Sequence, residues 1–350
     1  MTDFSRNIVD SGLTILGALG IINSIGKAEY QTLFVVDESE HLCGTLTDGD
    51  IRRALLNGVS LNDPVSKAIC REFRYLNKSS YSLEEIIELK QKKILLVPVL
   101  DKDKRILRIV DFNKQKSILP IDSVIMAGGK GERLQPLTFN TPKPLLKVGN
   151  KAIIEHNVDK LLQFGIENIY ITAGYLSEQI VSFSEQKESD FAKLSVVVES
   201  ERMGTIGGLS LIENFSHDTV FVMNADLLTN IDLEDFLLFH TSNESDMCVA
   251  TIPYQISVPY AVLETTKNSI TSIEEKPVYT YYSNAGIYLI RKSMLKYIPA
   301  GQKYDATDLI NTLLKNNKKV HHYPIKGYWL DIGRHEDFAK AQEDIKYLEE

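Results

Sequence analysis

Cysteine is scarce in this 350-residue chain: Cys43, Cys70 and Cys248 stand far apart, are odd in number and form no CxxC pair. That excludes a disulfide framework and a cysteine-based zinc site, and it fits buried thiols in a reducing cytoplasm. Positive charge is also in deficit, with 39 basic against 47 acidic residues and a net charge of -8. A general nucleic-acid binder carries the opposite balance, so the ligand to look for is a small anion held in a local basic pocket, with no nucleic acid as partner. No apolar run approaches membrane-spanning length, and Met1 to Asp10 lacks a basic-then-apolar leader pattern, so no membrane partner is expected. The seven histidines are scattered; only the adjacent His321 and His322 lie close, and on a strand they would point opposite ways. No Ser, His and acid arrangement stands out, which disfavours covalent hydrolase chemistry.

What is present is an ordinary globular composition, 43% apolar and 25% charged, at a length that favours two domains. The first third holds a faint repeat at a constant offset of 64 residues. "LFVVDESEHLCGTLTDGDIRRAL", Leu33 to Leu55, reads as strand, turn, strand, helix, and "VPVLDKDKRILRIVDFNKQKSI", Val97 to Ile118, is expected to follow the same course. Helical spacing precedes each copy, with Ile15, Leu19 and Ile22 before the first and Leu83, Ile86 and Ile87 before the second.

Through Gly44, Thr47, Asp48, Gly49, Asp50, Ile51 and Arg52 this segment resembles a tandem pair of CBS modules, an α+β unit covering residues 1–118. In that family a threonine and an aspartate three residues apart hold a nucleotide's phosphate and ribose. The resemblance therefore implies Thr47 and Asp50 as a regulatory adenine-nucleotide site, and a homodimer or higher homo-oligomer. The second copy departs, with Asp111 and Lys114 at those positions. "TDGD" read by its own chemistry is equally a turn followed by a helix N-cap.

A new pattern starts near Pro120. Apolar strands alternate with helices: Val124 to Ala127, a helix around Ile153 to Phe164, then "NIYITAG", "LSVVVES" and "TVFVMNAD". This alternation predicts an α/β domain over residues 121–350, its parallel strands presenting ligand sites at their carboxyl ends. At one such end stands "AGGKGERLQPLTFNTPKP", Ala127 to Pro144. Gly128, Gly129 and Gly131 let backbone N–H groups approach an anion, Arg133 adds a planar fork, and Lys143 adds a point charge between two prolines. A Walker A loop fails because Gly131 follows Lys130, and a Rossmann fingerprint fails because Leu134 stands where its third glycine belongs.

G-G-x-G-x-R-L followed by P-K-P resembles the sugar-1-phosphate nucleotidyltransferases, with a Rossmann-like mixed sheet, and further landmarks of that family follow in order. "ESERMGTIGGL" is similar to its nucleotide-base segment, implying base contacts from Glu199, Gly204 and Thr205 beside Ala127 and the Gly128, Gly129 and Gly131 cradle. "FVMNAD" and "GYWLDIG" imply Asp226 and Asp331 as ligands of Mg²⁺, although Ala225 stands where relatives have glycine. "VPYAVLE", "EEKP" and "SNAGIYLI" imply a sugar-phosphate side built from Tyr260, Glu264, Glu275, Lys276, Asn284 and Gly286, with Ala261 in place of a usual glycine.

The resemblance implies transfer of a nucleoside monophosphate from an NTP to a hexose 1-phosphate, with Arg133 and Lys143 as catalytic cations. The order of CBS pair then transferase resembles the guanylyltransferases that act on glucosamine 1-phosphate in bacterial legionaminic acid synthesis. That implies GTP as donor, while mannose 1-phosphate and glucose 1-phosphate remain open as acceptors. A sensor whose CBS pair binds nucleotide and whose second domain is not catalytic is the alternative from another class.

Overall fold

In the computed structural model, which describes residues 4–25, 31–187, 189 and 191–348, the chain divides after Ile118 into the units Met1–Ile118 and Leu119–Glu350. In the first unit, β1 (Ile8–Asp10), α1 (Ile15–Ile25), β2 (Thr32–Val36), β3 (Leu42–Thr47) and α2 (Asp48–Leu56) make one repeat. The second comprises β4 (Leu76–Asn77), α3 (Leu83–Gln91), β5 (Leu96–Leu100) and β6 (Ile106–Asp111). Each repeat forms a three-stranded sheet with a parallel and then an antiparallel pairing. Period-two alternation buries Leu42, Gly44 and Leu46 of β3, and Ile15, Ala18, Leu33 and Ile51 close the core of the first repeat. Phe34 and Leu42 of one sheet meet Leu100 and Ile109 of the other.

The two repeats differ at their ends. Thr47 opens α2 through a capping box: the Asp50 N–H donates to Thr47 Oγ1 at 3.3 Å and the Thr47 N–H donates to Asp50 Oδ2 at 2.9 Å. The matching stretch after β6, Phe112 to Ile118, was expected to be helical and forms turns, with the Asn113 N–H on Asp111 Oδ1 at 2.9 Å. Lys114 stands where Asp50 does, and an ammonium has no lone pair with which to accept the cap residue's N–H, so this copy lacks the capping box that opens α2.

The second unit runs β7 (Asp122–Ala127), β8 (Lys147–Val148), β9 (Lys151–Ala152), α4 (Ile153–Gln163), β10 (Asn168–Ala173), α5 (Ser177–Gln186) and β11 (Lys193–Val198). It continues with β12 (Thr219–Asn224), β13 (Leu227–Thr229), α6 (Leu233–Ser242), β14 (Met247–Ser257), β15 (Val262–Thr266), β16 (Ser269–Glu274) and β17 (Val278–Arg291). It closes with α7 (Ala306–Lys315), β18 (Val320–Pro324), β19 (Trp329–Asp331) and α8 (His335–Leu348). Seven strands make one mixed sheet in the order β11-β10-β7-β12-β17-β14-β18. β7, β10, β11 and β12 pair in parallel, and β17 runs antiparallel to β12 and β14.

α4 buries Ile153, Ile154, Asn157, Val158 and Leu161, one face at helical spacing. Val124, Val220, Val222, Ile290 and Leu309 fill a core on one side of the sheet, each worth roughly 1.5–3 kcal/mol of transfer free energy. From β7 the chain passes to β10 and β11 on one side and returns to β12 on the other, so the order switches direction at β7. A switch point leaves a crevice at the strand's carboxyl end, and the Gly128–Gly131 loop begins there.

Candidate active site

The loop after β7 starts from buried Ala127 and turns at Gly131, where φ is +64°. A side chain there would be strained by that conformation, and its Cβ would sit 3.0 Å from the Lys143 Cβ. Thr138 Oγ1 secures the turn by donating to the Gly131 carbonyl at 2.9 Å. The short 3-10 turn Glu132–Leu134 follows and carries Arg133. A cavity of about 280 Å³ gathers Gly129, Gly131, Arg133, Lys143 and Asp226 in its wall, with Lys130 beside them.

Asp226 comes one residue after buried Ala225, where the chain leaves β12. β13 then pairs antiparallel with β19, setting Leu227 opposite Asp331, and the Ile332 N–H donates to the Asp226 carbonyl at 3.0 Å. The Trp329 indole N–H donates to the Ala285 carbonyl at 2.9 Å, which ties β19 to β17. Two carboxylates distant in sequence thus share one corner of the cavity. Lys143 is 8% exposed; its ammonium bonds Asp226 Oδ2 and lies 3.8 Å from Asp331 Oδ1. Burial pushes the Asp331 carboxyl above its ordinary pKa and the Asp226 charge adds to this, while Lys143 and Arg133 oppose it.

Asp226 Oδ1 and Asp331 Oδ1 are sealed from solvent and accept no hydrogen bond. Among the described residues no group of three or more His, Cys, Asp or Glu side chains could hold a metal ion. Magnesium does not require one. It binds through one or two carboxylates and completes its shell with water and substrate phosphates, so two carboxylate oxygens without a hydrogen bond, beside a cavity walled by Arg133 and Lys143, fit a divalent cation.

The second cavity, about 410 Å³, is walled by Gly128, Thr172, Glu199, Thr205 and Asn224, and it too reaches Asp226. Glu199 is 8% exposed. Its carboxylate lies so close to two backbones that a Cβ at Gly128 would fall 2.7 Å from Oε2 and one at Gly208 2.6 Å from Oε1. Burial raises the Glu199 pKa, offset by hydrogen bonds from the Met203 N–H and the Thr172 hydroxyl. Thr205 is fastened to the start of α7: its N–H donates to Asp305 Oδ1 at 2.8 Å, and its Oγ1 accepts from the Ala306 N–H at 2.9 Å. Gly204, at φ +76°, packs against the Tyr304 carbonyl.

The residues expected on the sugar side split into two groups. Gly286, at φ +71°, backs directly onto Asn224, where a Cβ would meet the amide at 2.5 Å, and Asn284 Oδ1 accepts from the Gly286 N–H at 2.9 Å. Tyr260, Glu264, Glu275 and Lys276 lie instead on the exposed β14–β17 ribbon and line neither cavity. Glu264 is engaged across the hairpin by Ser272 Oγ at 2.7 Å. In the first unit, Thr47 and Asp50 cap α2, and Arg53 bonds Asp50 Oδ1. A cavity of about 340 Å³ in that unit is lined instead by Thr32, Phe34, Thr45, Arg74 and Lys93.

Sequence reading passed over Arg202, Lys303 and Asp305, all of which line the Glu199 cavity. A signal for two of them was present: an arginine inside a Gly-rich segment, and an aspartate three residues before Asp308, the spacing of a capping box.

Residues 122–347 match the family model described as nucleotidyl transferase, and residues 8–57 match that of the CBS domain. A mannose-1-phosphate guanyltransferase of Pichia angusta is 31% identical over 230 residues, 62% of this chain and 62% of that protein. The bifunctional protein GlmU of Methanocaldococcus jannaschii is 31% identical over 235 residues, 65% of this chain and 54% of that one. The chain therefore spans less than two thirds of the length of these curated relatives. A solved Bacillus anthracis structure, named for a glucose-1-phosphate thymidylyltransferase, superposes with a TM-score of 0.50 at 29% identity, covering 64% of this chain and 94% of that one.

Proposed function

The chain belongs to the nucleotidyl transferase family, and from that premise we propose that it moves a guanylyl group from GTP to a hexose 1-phosphate, releasing pyrophosphate. The observation that carries the choice of base is Glu199. An ionised carboxylate only accepts hydrogen bonds, and guanine offers two adjacent donors, its ring N–H and its exocyclic amine. Held between Gly128 and Gly208, the Glu199 carboxylate is a fixed, desolvated acceptor at the wall of a cavity that leads to Asp226.

In the proposed reaction an oxygen of the sugar phosphate attacks the α-phosphorus of GTP. The new P–O bond forms as the bond to the β-phosphate oxygen breaks, and pyrophosphate leaves with that electron pair. The attacking phosphate is already anionic, so no general base is required, and the chain contributes positioning and charge neutralisation. Arg133 neutralises the β- and γ-phosphates and the departing pyrophosphate. Lys143 bridges the attacking phosphate and the α-phosphate once it exchanges its carboxylate partners for them. A Mg²⁺ ion held by Asp226 and Asp331 would neutralise charge at the α-phosphate. Lys276 and Glu275, which line neither cavity, are assigned to the sugar phosphate and hydroxyls by the family resemblance alone, as are Tyr260, Glu264, Asn284 and Gly286 to the hexose side.

The acceptor is glucosamine 1-phosphate on the strength of the CBS-first domain order. Mannose 1-phosphate is the second reading, favoured by the names of the relatives. For the first unit a regulatory and dimerising role is proposed, with an adenine nucleotide as ligand; Arg74 and Lys93 in its cavity support an anion there.

The test is pyrophosphate release with Mg²⁺ across GTP, UTP, dTTP, CTP and ATP against glucosamine, mannose, glucose and N-acetylglucosamine 1-phosphates. GTP with glucosamine 1-phosphate is the expected pair. GTP with mannose 1-phosphate would move the acceptor, another NTP would remove the role of Glu199, and silence from folded protein would leave the sensor.

A further inference from the structure

Arg202 has no role in the reaction as set out above, yet it occupies a distinctive position. The two cavities share four lining residues: Met126, Gly129, Arg202 and Asp226. If the base lies against Glu199 in one cavity and the terminal phosphates lie against Arg133 in the other, the nucleotide must cross this shared boundary. The part of a nucleoside triphosphate between its base and its β-phosphate is the ribose and the α-phosphate. Of the four shared residues one is apolar, one offers only backbone and one is an anion. Arg202 alone can offset phosphate charge there.

The state of the neighbouring cation strengthens the case. The Lys143 ammonium is buried and committed to Asp226, with Asp331 at 3.8 Å, so it reaches phosphate only by giving up those partners. Arg202 is exposed and has no ion-pair or hydrogen-bond partner among the described residues. The backbone next to it is fixed: Met203 is buried, its N–H on Glu199 Oε2 at 3.4 Å and its carbonyl accepting from the Tyr304 N–H at 2.9 Å. A guanidinium carried beside the base-binding carboxylate, and free of any internal partner, gives up no ion pair to meet an incoming anion.

We propose that Arg202 is a substrate-contacting residue that binds the α-phosphate of the incoming nucleotide and orients its phosphorus for attack. This rests on the nucleotidyl-transfer reading, and its test separates the two. Titration calorimetry with GTP, GMP and guanosine, without sugar phosphate, is carried out on the wild type, Arg202→Met and Arg202→Lys. Loss of a charge-assisted contact is expected to weaken both GTP and GMP by a similar factor, roughly ten- to a hundredfold in Arg202→Met. Guanosine affinity is expected to stay unchanged, and Arg202→Lys to recover part of the loss. In turnover the Arg202→Met protein should show a lower kcat as well as a raised KM for GTP. Unchanged GMP and GTP affinities in Arg202→Met would overturn the proposal. A loss confined to GTP would move Arg202 to the β- and γ-phosphates, and a loss for guanosine would move it to the nucleoside; either overturns the α-phosphate assignment. A wild type that neither binds these nucleotides nor releases pyrophosphate would instead bring down the reading on which the proposal stands.

Discussion

Thr47 and Asp50 in the first unit lie three residues apart and satisfy each other, whereas Lys143, Asp226 and Asp331 in the second come from three distant segments and leave two carboxylate oxygens without a hydrogen bond. The groups are chemically similar, each including an aspartate with a donor beside it. Folding already uses the first pair: its hydrogen bonds are those of a helix cap. The second group is brought together by β13 and β19 and left partly unsatisfied, which is tolerable only where something else completes it. Local polar pairs therefore report first on secondary structure. Polar groups assembled across a fold, with lone pairs to spare, report on ligands.

The largest effect that would test this contrast is at Asp226. Asp226→Asn keeps the shape and removes the charge, so pyrophosphate release is expected to fall roughly a hundred- to a thousandfold while the thermal midpoint stays close to wild type. A midpoint that collapsed would mean the carboxylate serves the fold, as Asp50 does. Next is Gly208→Ala, whose Cβ would lie 2.6 Å from Glu199 Oε1. The displaced carboxylate is expected to cost about tenfold or more in GTP affinity by calorimetry, an energy of the size of one good hydrogen-bonded contact.

A smaller and graded effect is expected with pH. Burial holds the Glu199 pKa above its ordinary value, so protonation, which removes its second accepting oxygen, sets in at higher pH than for an exposed glutamate. Guanosine affinity should therefore weaken on acidification, by about tenfold per pH unit once below that pKa. Guanosine is the probe because it carries no phosphate to titrate, and Glu199→Gln should flatten the profile. The smallest effect is Thr47→Ala, which removes a cap worth about 1 kcal/mol and should lower the first unit's melting midpoint by roughly 4 °C. An unchanged midpoint in calorimetry would show that the cap contributes nothing and free the pair for a ligand role.

Much of the secondary structure was legible because it is locally determined. The strands at Val124 to Ala127 and in "TVFVMNAD", the helix near Ile153 and the strand–turn–strand of each repeat follow from short apolar runs bounded by turn residues. The helix expected after β6 was not there: apolar likeness carried the prediction, and Lys114, standing where Asp50 does, leaves that stretch without the capping box that opens α2. The β14–β17 ribbon was not foreseen either. Tyr254, Ile256, Tyr281 and Tyr282 are large hydrophobic side chains on the same strands as the buried residues, yet they are more than 40% exposed. Periodicity along a strand cannot say where the sheet that covers it stops.

At the site, the glycine turn and the chemistry of Arg133 and Lys143 could be argued from the local stretch. Arg202 could not, since its meaning comes from standing where two cavities join. What the sequence determined by itself is therefore short-range: which segments extend, which coil, where Gly131 turns the chain and where Thr47 caps a helix, all set by sterics and hydrogen bonds within a few residues. Which carboxylates share a corner, which carboxylate lies between Gly128 and Gly208 and which arginine faces both cavities were decided by the tertiary structure. Those relations depend on β13 meeting β19 and on the strand order reversing at β7, contacts whose stability comes from burying whole faces of the fold rather than from the residues that carry the chemistry.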